Sequence, residues 1–380
     1  MNSPSEELLY SILLTMVPQV GSIQSRILLE QLGSAKKIFH TARSRLEKIP
    51  GIGPVRATAI ASFRDHKKAE KEIRFIEHNG IRPLTFYSKD YPSRLRNCPD
   101  PPPLLYYKGT ADLNSKKILS IVGTRKETDL GRELINAYLE AWRDDDLLII
   151  SGLAYGIDQL AHRASLRNGL STVGVLAHGL DKIYPQSHIS LAREMKEKGG
   201  LLTEFLSNTQ PDKQNFPRRN RIVAGISDAL LVIETDIKGG SMITAELASG
   251  YSREVFAIPG RIQDEKSQGC NYLIRENKAR LTMHPMDIPE FMNWTIRTPA
   301  TPSHVEPLFN ELDPDQLLIA GLLKDHGIMH IDQIQSLSGL QHSRFSSTLL
   351  SMEMDRIILQ VPGKLYKLNQ VGGGQNLLRI

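Results

Sequence analysis

Between residues 116 and 285 the chain alternates short apolar runs with stretches of helical periodicity, and that alternation leaves few ways to fold. The runs cover residues 118–122, 147–150, 172–176, 201–204, 230–233 and 255–258. A strand that shows one face to water alternates apolar and polar residues, whereas a strand that is apolar throughout is covered on both faces. Parallel neighbours need a crossover long enough to hold a helix. Such strands separated by helices therefore predict an α/β fold: a parallel, doubly wound sheet with helices on both sides.

The flanks read differently. Residues 1–78 have helical periodicity and no strand-like alternation, and 81–103 form an extended, proline-punctuated segment. Residues 295–307 are rich in Thr and Pro and read as a linker. We expect a helical domain over 1–78, an α/β core over 79–294, the linker, and a small unit over 308–370. That last unit has three helical stretches and a hairpin over Pro362-Gly363, a winged-helix pattern. Its third helix carries Arg344 beside Glu353 and Asp355, a poor charge balance for reading duplex DNA and a better one for protein contact.

In the helical region, Ile49-Pro-Gly-Ile-Gly53 joins two helices in a helix-hairpin-helix pattern, and the segment from Met16 to Ile23 echoes it with Gln19 in place of the first glycine. The amides of Gly51 and Gly53 are candidate phosphate contacts to DNA. A protein-binding module that uses the same turn only for packing is the alternative.

In open parallel sheets ligands sit beyond the carboxyl ends of the strands. The loops there carry Gly123, Thr124 and Arg125; Ser151, Gly152 and Gly156; Lys182; Phe216, Arg218, Arg219, Asn220 and Arg221; and Gly239, Gly240 and Ser241. Glycines, hydroxyls and arginines in four loops of one edge are the chemistry of a phosphate cradle, and Phe216 among arginines is suited to stacking a base. Asp158 and His162, four apart on a helix, read as a buried hydrogen-bonded pair. A nicotinamide cofactor is disfavoured: no second glycine follows Gly123 at the spacing of G-x-G-x-x-G, and the second strand ends in Ser151-Gly152 where an acidic residue would hold a ribose. No P-loop lysine and no nucleophile–base pair is evident, so the edge reads as binding without chemistry and without a cofactor.

The 47 Lys and Arg against 42 Asp and Glu give a net charge of +5, which permits a polyanionic partner without requiring one. Cys98 and Cys270 are isolated, in no metal-ligand spacing, and fit a reducing compartment. Glu6 and Glu7 interrupt the first apolar stretch, so it reads as an amphipathic helix rather than a signal peptide, and no run approaches the roughly 20 apolar residues of a membrane span. A cytoplasmic protein is expected.

Several motifs together resemble the DNA processing protein A family (DprA, also called Smf). They are Val122-Gly-Thr-Arg125, Ser151-Gly-Leu-Ala-Tyr-Gly-Ile-Asp158, Gly179-Leu-Asp-Lys-Ile-Tyr-Pro185, Phe216-Pro-Arg-Arg-Asn-Arg-Ile222, Gly240-Ser-Met-Ile-Thr-Ala245, Ile258-Pro-Gly260 and Gly269-Cys-Asn-Tyr-Leu-Ile274. The resemblance implies an extended Rossmann-like core that holds single-stranded DNA, dimerises, and delivers the strand to the RecA recombinase in natural transformation and recombination. By motif, Arg125 would be the principal phosphate contact, with Gly152, the Gly240-Ser241 turn, Arg218 and Arg221 completing the groove. Ala177-His178, Met242 and Lys278-Ala279 depart from the family pattern, and Lys278 puts its own loop in question. A rival reading takes Lys238-Gly-Gly-Ser-Met-Ile-Thr-Ala-Glu246 as a partial signature of nucleoside-monophosphate phosphoribohydrolases, with Glu246 catalytic. A third is an interaction scaffold whose loops bind an acidic protein surface.

Overall fold

The computed structural model describes residues 4–296 and 312–368, apart from 356 and 362. The expected linker from residue 297 on, and Pro362 of the expected hairpin turn, lie outside the described residues. Compactness divides the chain into two units, 1–300 and 301–380.

The first unit opens with helices Pro4–Met16 (α1), Ser22–Leu32 (α2), Ala35–His40 (α3), Arg43–Leu46 (α4), Gly53–Ser62 (α5) and His66–His78 (α6). The α1–α2 and α4–α5 connections are one turn used twice. Gln19 (φ 64°) takes the left-handed conformation that Gly51 (φ 84°) takes in the second copy. Arg56 ties the copies together, donating from Nε to the Gln19 carbonyl at 3.0 Å and from Nη1 to the Gly51 carbonyl at 3.1 Å. Val17, Val20, Leu28, Leu46, Ile52, Ala57 and Ile60 form the core between them. A second cluster joins Ile12, Leu13, Ala69 and Ile76 to Leu104 and Tyr106 of the sheet, so the helical region shares apolar surface with the α/β core. The buried Glu72 reinforces that junction by accepting from the amide (2.9 Å) and hydroxyl of Ser207.

The core follows as Arg82–Thr85 (β1), Ser93–Arg96 (α7), Leu104–Gly109 (β2), Lys117–Val122 (β3), Asp129–Ala141 (α8), Leu147–Ser151 (β4), Ile157–Arg167 (α9), Thr172–Val175 (β5), Ile189–Lys198 (α10) and Gly199–Thr203 (β6). Asn215–Ile226 (α11), Ala229–Val232 (β7), Gly240–Gly250 (α12), Glu254–Ala257 (β8), Glu265–Arg275 (α13), Arg280–Leu281 (β9) and Asp287–Met292 (α14) complete it. Among the described residues the sheet has nine strands in the order β1-β2-β6-β5-β4-β3-β7-β8-β9. The six expected parallel strands are present, in parallel register from β6 through β8. β1, within the segment read only as extended, and β2, directly after it, extend the sheet antiparallel beyond β6.

The double winding is written in the alternation of each strand. Ile118, Val122, Leu148, Ile150, Leu230 and Val232 face α11 and α12. Leu119, Ile121, Leu147, Ile149, Ala229 and Leu231 face α8 and α9. The one polar interruption of β3, Ser120, is buried and donates to the Val223 carbonyl of α11 at 2.7 Å. Cys98 and Cys270 are buried in the α11–α13 layer and unpaired.

The second unit has Pro314–His326 (α15), Met329–His330 (β10), Ile331–Ser338 (α16), His342–Met354 (α17), Ile358–Val361 (β11) and Leu365–Leu368 (β12), with sheet order β10-β12-β11. Asp313 caps α15, accepting from the amides of Asp315 and Gln316, each at 2.9 Å, while Gln316 reaches back to the Asp313 amide at 3.1 Å. Arg344 of α17 is ion-paired to Asp315 of α15.

Candidate nucleic-acid interface

From β3 the chain winds outward through β4, β5 and β6 on one side, then returns to lay β7 against the other side of β3. The loops after β3 and β7 therefore diverge and leave a crevice at the carboxyl edge, where open α/β sheets bind ligands. The loop after β3 is held tightly. The Thr124 amide donates to the Glu234 carbonyl at 2.6 Å, and the Ile157 amide donates to the Thr124 carbonyl at 3.1 Å. At the far end, the Thr128 amide donates to the Glu234 carboxylate at 3.0 Å, as does the Thr128 hydroxyl. Thr128 also caps α8, accepting from the Gly131 amide at 3.1 Å. Gly123 and Gly156 are glycines because the loops interlock: a Cβ on Gly123 would press on Ile157, and one on Gly156 would overlap the Thr124 carbonyl. With its loop fixed at both ends, Arg125 is left exposed, its guanidinium 5.0 Å from the ring centroid of Phe216.

The basic segment 216–221 is the first part of helix α11, and the helix sorts its residues by face. Arg218 is outward, 59% exposed, with its guanidinium 5.0 Å from the Phe205 ring. Arg219 lies on the stripe 219-222-223-226 and is buried, donating to the Val175 carbonyl. Arg221 is also buried, bound to the Asp100 carbonyl and paired with Glu204. Asn220 is half-buried and donates to the Gly240 carbonyl at 3.4 Å, linking α11 to the start of α12.

Ser151 and Gly152 are likewise interior. The Ser151 hydroxyl donates to the Ile121 carbonyl at 2.6 Å, and a Cβ on Gly152 would overlap both the Arg219 guanidinium and the Asp158 carboxylate. Burial raises the Asp158 pKa and lowers that of Arg219, and each charge partly offsets the other's shift. The expected Asp158–His162 hydrogen bond is not made. His162 instead bridges Thr172 Oγ1 (2.6 Å from Nδ1) and the Gly152 carbonyl (2.5 Å from Nε2), while Asp158 accepts from the Ala154 amide at 3.3 Å. Four residues apart on α9, the two side chains turn toward different partners: His162 inward to β5, Asp158 to the loop after β4. Burial pushes the His162 pKa down to about 4, which keeps the ring neutral.

Among the remaining candidates, Lys182 pairs with its neighbour Asp181 at 3.3 Å, and Ser241 is buried with its hydroxyl on Thr235 Oγ1 at 2.7 Å. Gly239 is crowded by Thr235, but Gly240, the first residue of α12, has open space where a Cβ would be. Glu246 is 58% exposed, paired with Lys278 at 3.5 Å, and lines no part of the cleft around Arg125; the same pair anchors the loop that Lys278 put in question. In the helical region Gly51 is exposed and Gly53 half-buried, both at positive φ.

Three residues that were not among the candidates, Tyr155, Tyr184 and His178, line that cleft with Arg125 and Phe216. Tyr155 and Tyr184 are 50% and 48% exposed, and the Tyr184 and Phe216 rings are 6.4 Å apart. A tyrosine in a glycine-containing loop of that edge was the available signal. The exposed Lys126, Lys213 and Lys238 stand in the loops after β3, β6 and β7 and were not among the candidates. The structure thus separates the candidates. Arg125, Phe216, Arg218 and Gly240 are available to a ligand, whereas Ser151, Gly152, Gly156, Arg219, Arg221 and Ser241 build the scaffold beneath them.

Residues 82–293 match the family model of DNA recombination-mediator protein A, and 300–364 match the DprA winged helix domain. Protein Smf of Escherichia coli (strain K12) is 33% identical over 329 residues, 84% of this chain and 86% of that protein. DNA processing protein DprA of Bacillus subtilis (strain 168) is 38% identical over 212 residues, 56% of this chain and 71% of that protein. The X-ray structure of DprA from Streptococcus pneumoniae superposes with a TM-score of 0.65 at 30% identity, covering 76% of this chain and 98% of that one. The structure of DprA from Helicobacter pylori, described for its single-stranded DNA binding mode, gives 0.51 at 27% identity over 56% of this chain and 95% of that one. With its core and its terminal domain both matched, and its motifs arranged around one sheet edge, this chain belongs to the DprA/Smf family of DNA recombination mediators.

Proposed function

We propose that the protein binds single-stranded DNA along the carboxyl edge of its sheet and delivers the strand to a RecA-type recombinase, acting by binding rather than by catalysis. The observation that carries this reading is the exposed Arg125 guanidinium beside Phe216, itself next to Tyr184, within a loop hydrogen-bonded at both ends. A cation for the backbone beside rings for the bases is what a single strand requires, and a duplex keeps its bases out of reach of such rings. That the H. pylori relative is described as binding single-stranded DNA supports the same choice of ligand. Arg125 and Arg218 neutralise phosphates, Phe216 and Tyr184 stack bases, and the Gly240 amide meets a phosphate at the start of α12. The buried arginines hold the groove's shape.

Two core units are proposed to pair as a homodimer. The helical region, through Gly51 and Gly53, is proposed to add a backbone contact. The winged helix is assigned to protein contact, because Arg344 is taken up by Asp315 while Leu350 and Met354 of α17 are 58% and 77% exposed.

The test is fluorescence anisotropy with a labelled oligonucleotide of about 30 nucleotides, long enough for more than one site of the size single-strand grooves commonly use, at several salt concentrations. A duplex of the same length and the Arg125→Ala variant run alongside. The expected result is tight single-strand binding that weakens steeply with salt, weaker duplex binding, and a log–log salt slope in the variant lower by about 0.7, one phosphate's share. Wild-type affinity in Arg125→Ala would remove the assignment. Binding to neither DNA form would redirect attention to base release from nucleotides and its loss in Glu246→Gln.

A further inference from the structure

The crevice between β3 and β7 is where a dinucleotide-binding fold holds a pyrophosphate against the N-terminus of the helix that follows the first strand. Here that position is filled from within. Glu234, the second residue after β7, is 6% exposed, and its carboxylate accepts from the amide and hydroxyl of Thr128 at the start of α8. A Cβ on Gly131, in the first turn of α8, would overlap that carboxylate, so the absence of a side chain there makes room for Glu234. No Lys, Arg or His is ion-paired with Glu234 among the described residues; its charge is met by the amino end of the helix and by Thr128. The backbone carbonyl of the same residue takes the Thr124 amide. One residue therefore grips the Arg125 loop at both ends.

We propose that Glu234 is an internal anion that takes the place of a nucleotide's phosphate, with two consequences for specificity. It excludes free nucleotides from the switch point. It also fixes the loop so that Arg125 projects outward, toward a polymer backbone rather than into the crevice. In this account Glu234 is a positioning residue that never touches DNA. The second consequence rests on the single-strand reading proposed above; the first does not.

The experiment uses the full chain with Glu234→Ala, the neutral isostere Glu234→Gln and the retracted Glu234→Asp. Thermal unfolding is followed with and without a nucleoside diphosphate, and oligonucleotide binding is measured for each variant alone and combined with Arg125→Ala. The wild-type melting temperature is expected to be indifferent to the nucleotide. That of Glu234→Ala, or of Glu234→Asp should the alanine variant not fold, is expected to rise with nucleotide concentration, as ligand binding to the native state requires.

Glu234→Ala is expected to lose about tenfold in oligonucleotide affinity, the scale of one charge-assisted hydrogen bond, and Glu234→Gln, which still accepts from Thr128, to recover most of that loss. In the Arg125→Ala background the loss is expected to vanish, because the two residues act through one contact. Equal nucleotide stabilisation of wild type and variants, or none in any variant, would overturn the plug. Losses that add to that of Arg125→Ala would overturn the positioning role. If no form binds oligonucleotide, the single-strand reading fails and the nucleotide arm still decides whether Glu234 fills a phosphate position.

Discussion

Replacing Gly156 by alanine tests whether the interlock of two loops holds the interface in place. Gly156 has φ 79° and ψ −132°, a conformation that residues with a Cβ seldom adopt and that costs about 1–3 kcal/mol to impose on one. The new Cβ would also fall on the Thr124 carbonyl and within 2.7 and 2.8 Å of the Arg125 carbonyl carbon and Cα. These are backbone atoms and cannot rotate aside, so overpacking adds about 1–3 kcal/mol. The expected destabilisation is about 2–6 kcal/mol, which for a large domain lowers Tm by at least about 4 °C. The control is Gly240→Ala, where nothing lies within 4 Å of the new Cβ. Its stability should stay within about 0.5 kcal/mol of wild type. Thermal and urea unfolding of both variants, with anisotropy on the folded samples, gives the comparison. Gly156→Ala is expected to lose stability and affinity together, since the displaced loop carries Arg125. A Gly156→Ala protein that unfolds with the wild-type midpoint would refute the claim that the two loops are in contact at this glycine.

Four further outcomes follow from the geometry. Arg221→Ala leaves the buried Glu204 carboxylate with only the 3.9 Å approach of Arg218 and is expected to cost about 3–5 kcal/mol. Arg218→Ala, at an exposed site, should change urea stability by less than about 0.5 kcal/mol while weakening oligonucleotide binding. His162 holds a pKa of about 4 in the fold against 6.5 when unfolded. Below that upper value the unfolded chain takes up a proton that the native ring refuses, so its contribution is complete above about pH 6.5 and is lost as pH falls toward 4, by up to about 3 kcal/mol. Urea midpoints at pH 7 and 4.5 should lie closer together in His162→Gln than in wild type. Finally, Gln19→Gly relieves a left-handed glutamine while keeping the backbone carbonyl that Arg56 binds, and should raise stability by about 0.5–1 kcal/mol, read as a higher Tm.

The six parallel strands were legible because burial on both faces leaves continuous apolar runs, spaced here by helical stretches. β1 and β2 were not, since Pro83 and the prolines at 101–103 break the pattern that a strand would otherwise show. At the site, the loops were legible from their glycines, but the depth of each residue was not. A run of arginines reads as solvated surface until the helix phase is known. Once α11 begins at Asn215, Arg219 falls in phase with Ile222, Val223 and Ile226, and that i, i+3, i+4, i+7 spacing was the signal for its burial. Glu234 was missed because one carboxylate after an apolar strand has no local signature. Its meaning comes from Thr128, more than a hundred residues earlier in the chain.

The two cysteines have a practical consequence for following a strand as it arrives. Cys98 and Cys270 are 2% and 0% exposed, and burial raises both thiols, that of Cys270 to about 12, so neither supplies the accessible thiolate that alkylating probes attack. A Gln214→Cys substitution, at an exposed position just ahead of α11, would therefore place a single reactive group beside Phe216 and Arg218 without first stripping the native sulfurs from the core. A fluorophore attached there would report occupancy of the groove directly, in a protein whose interior is otherwise unaltered.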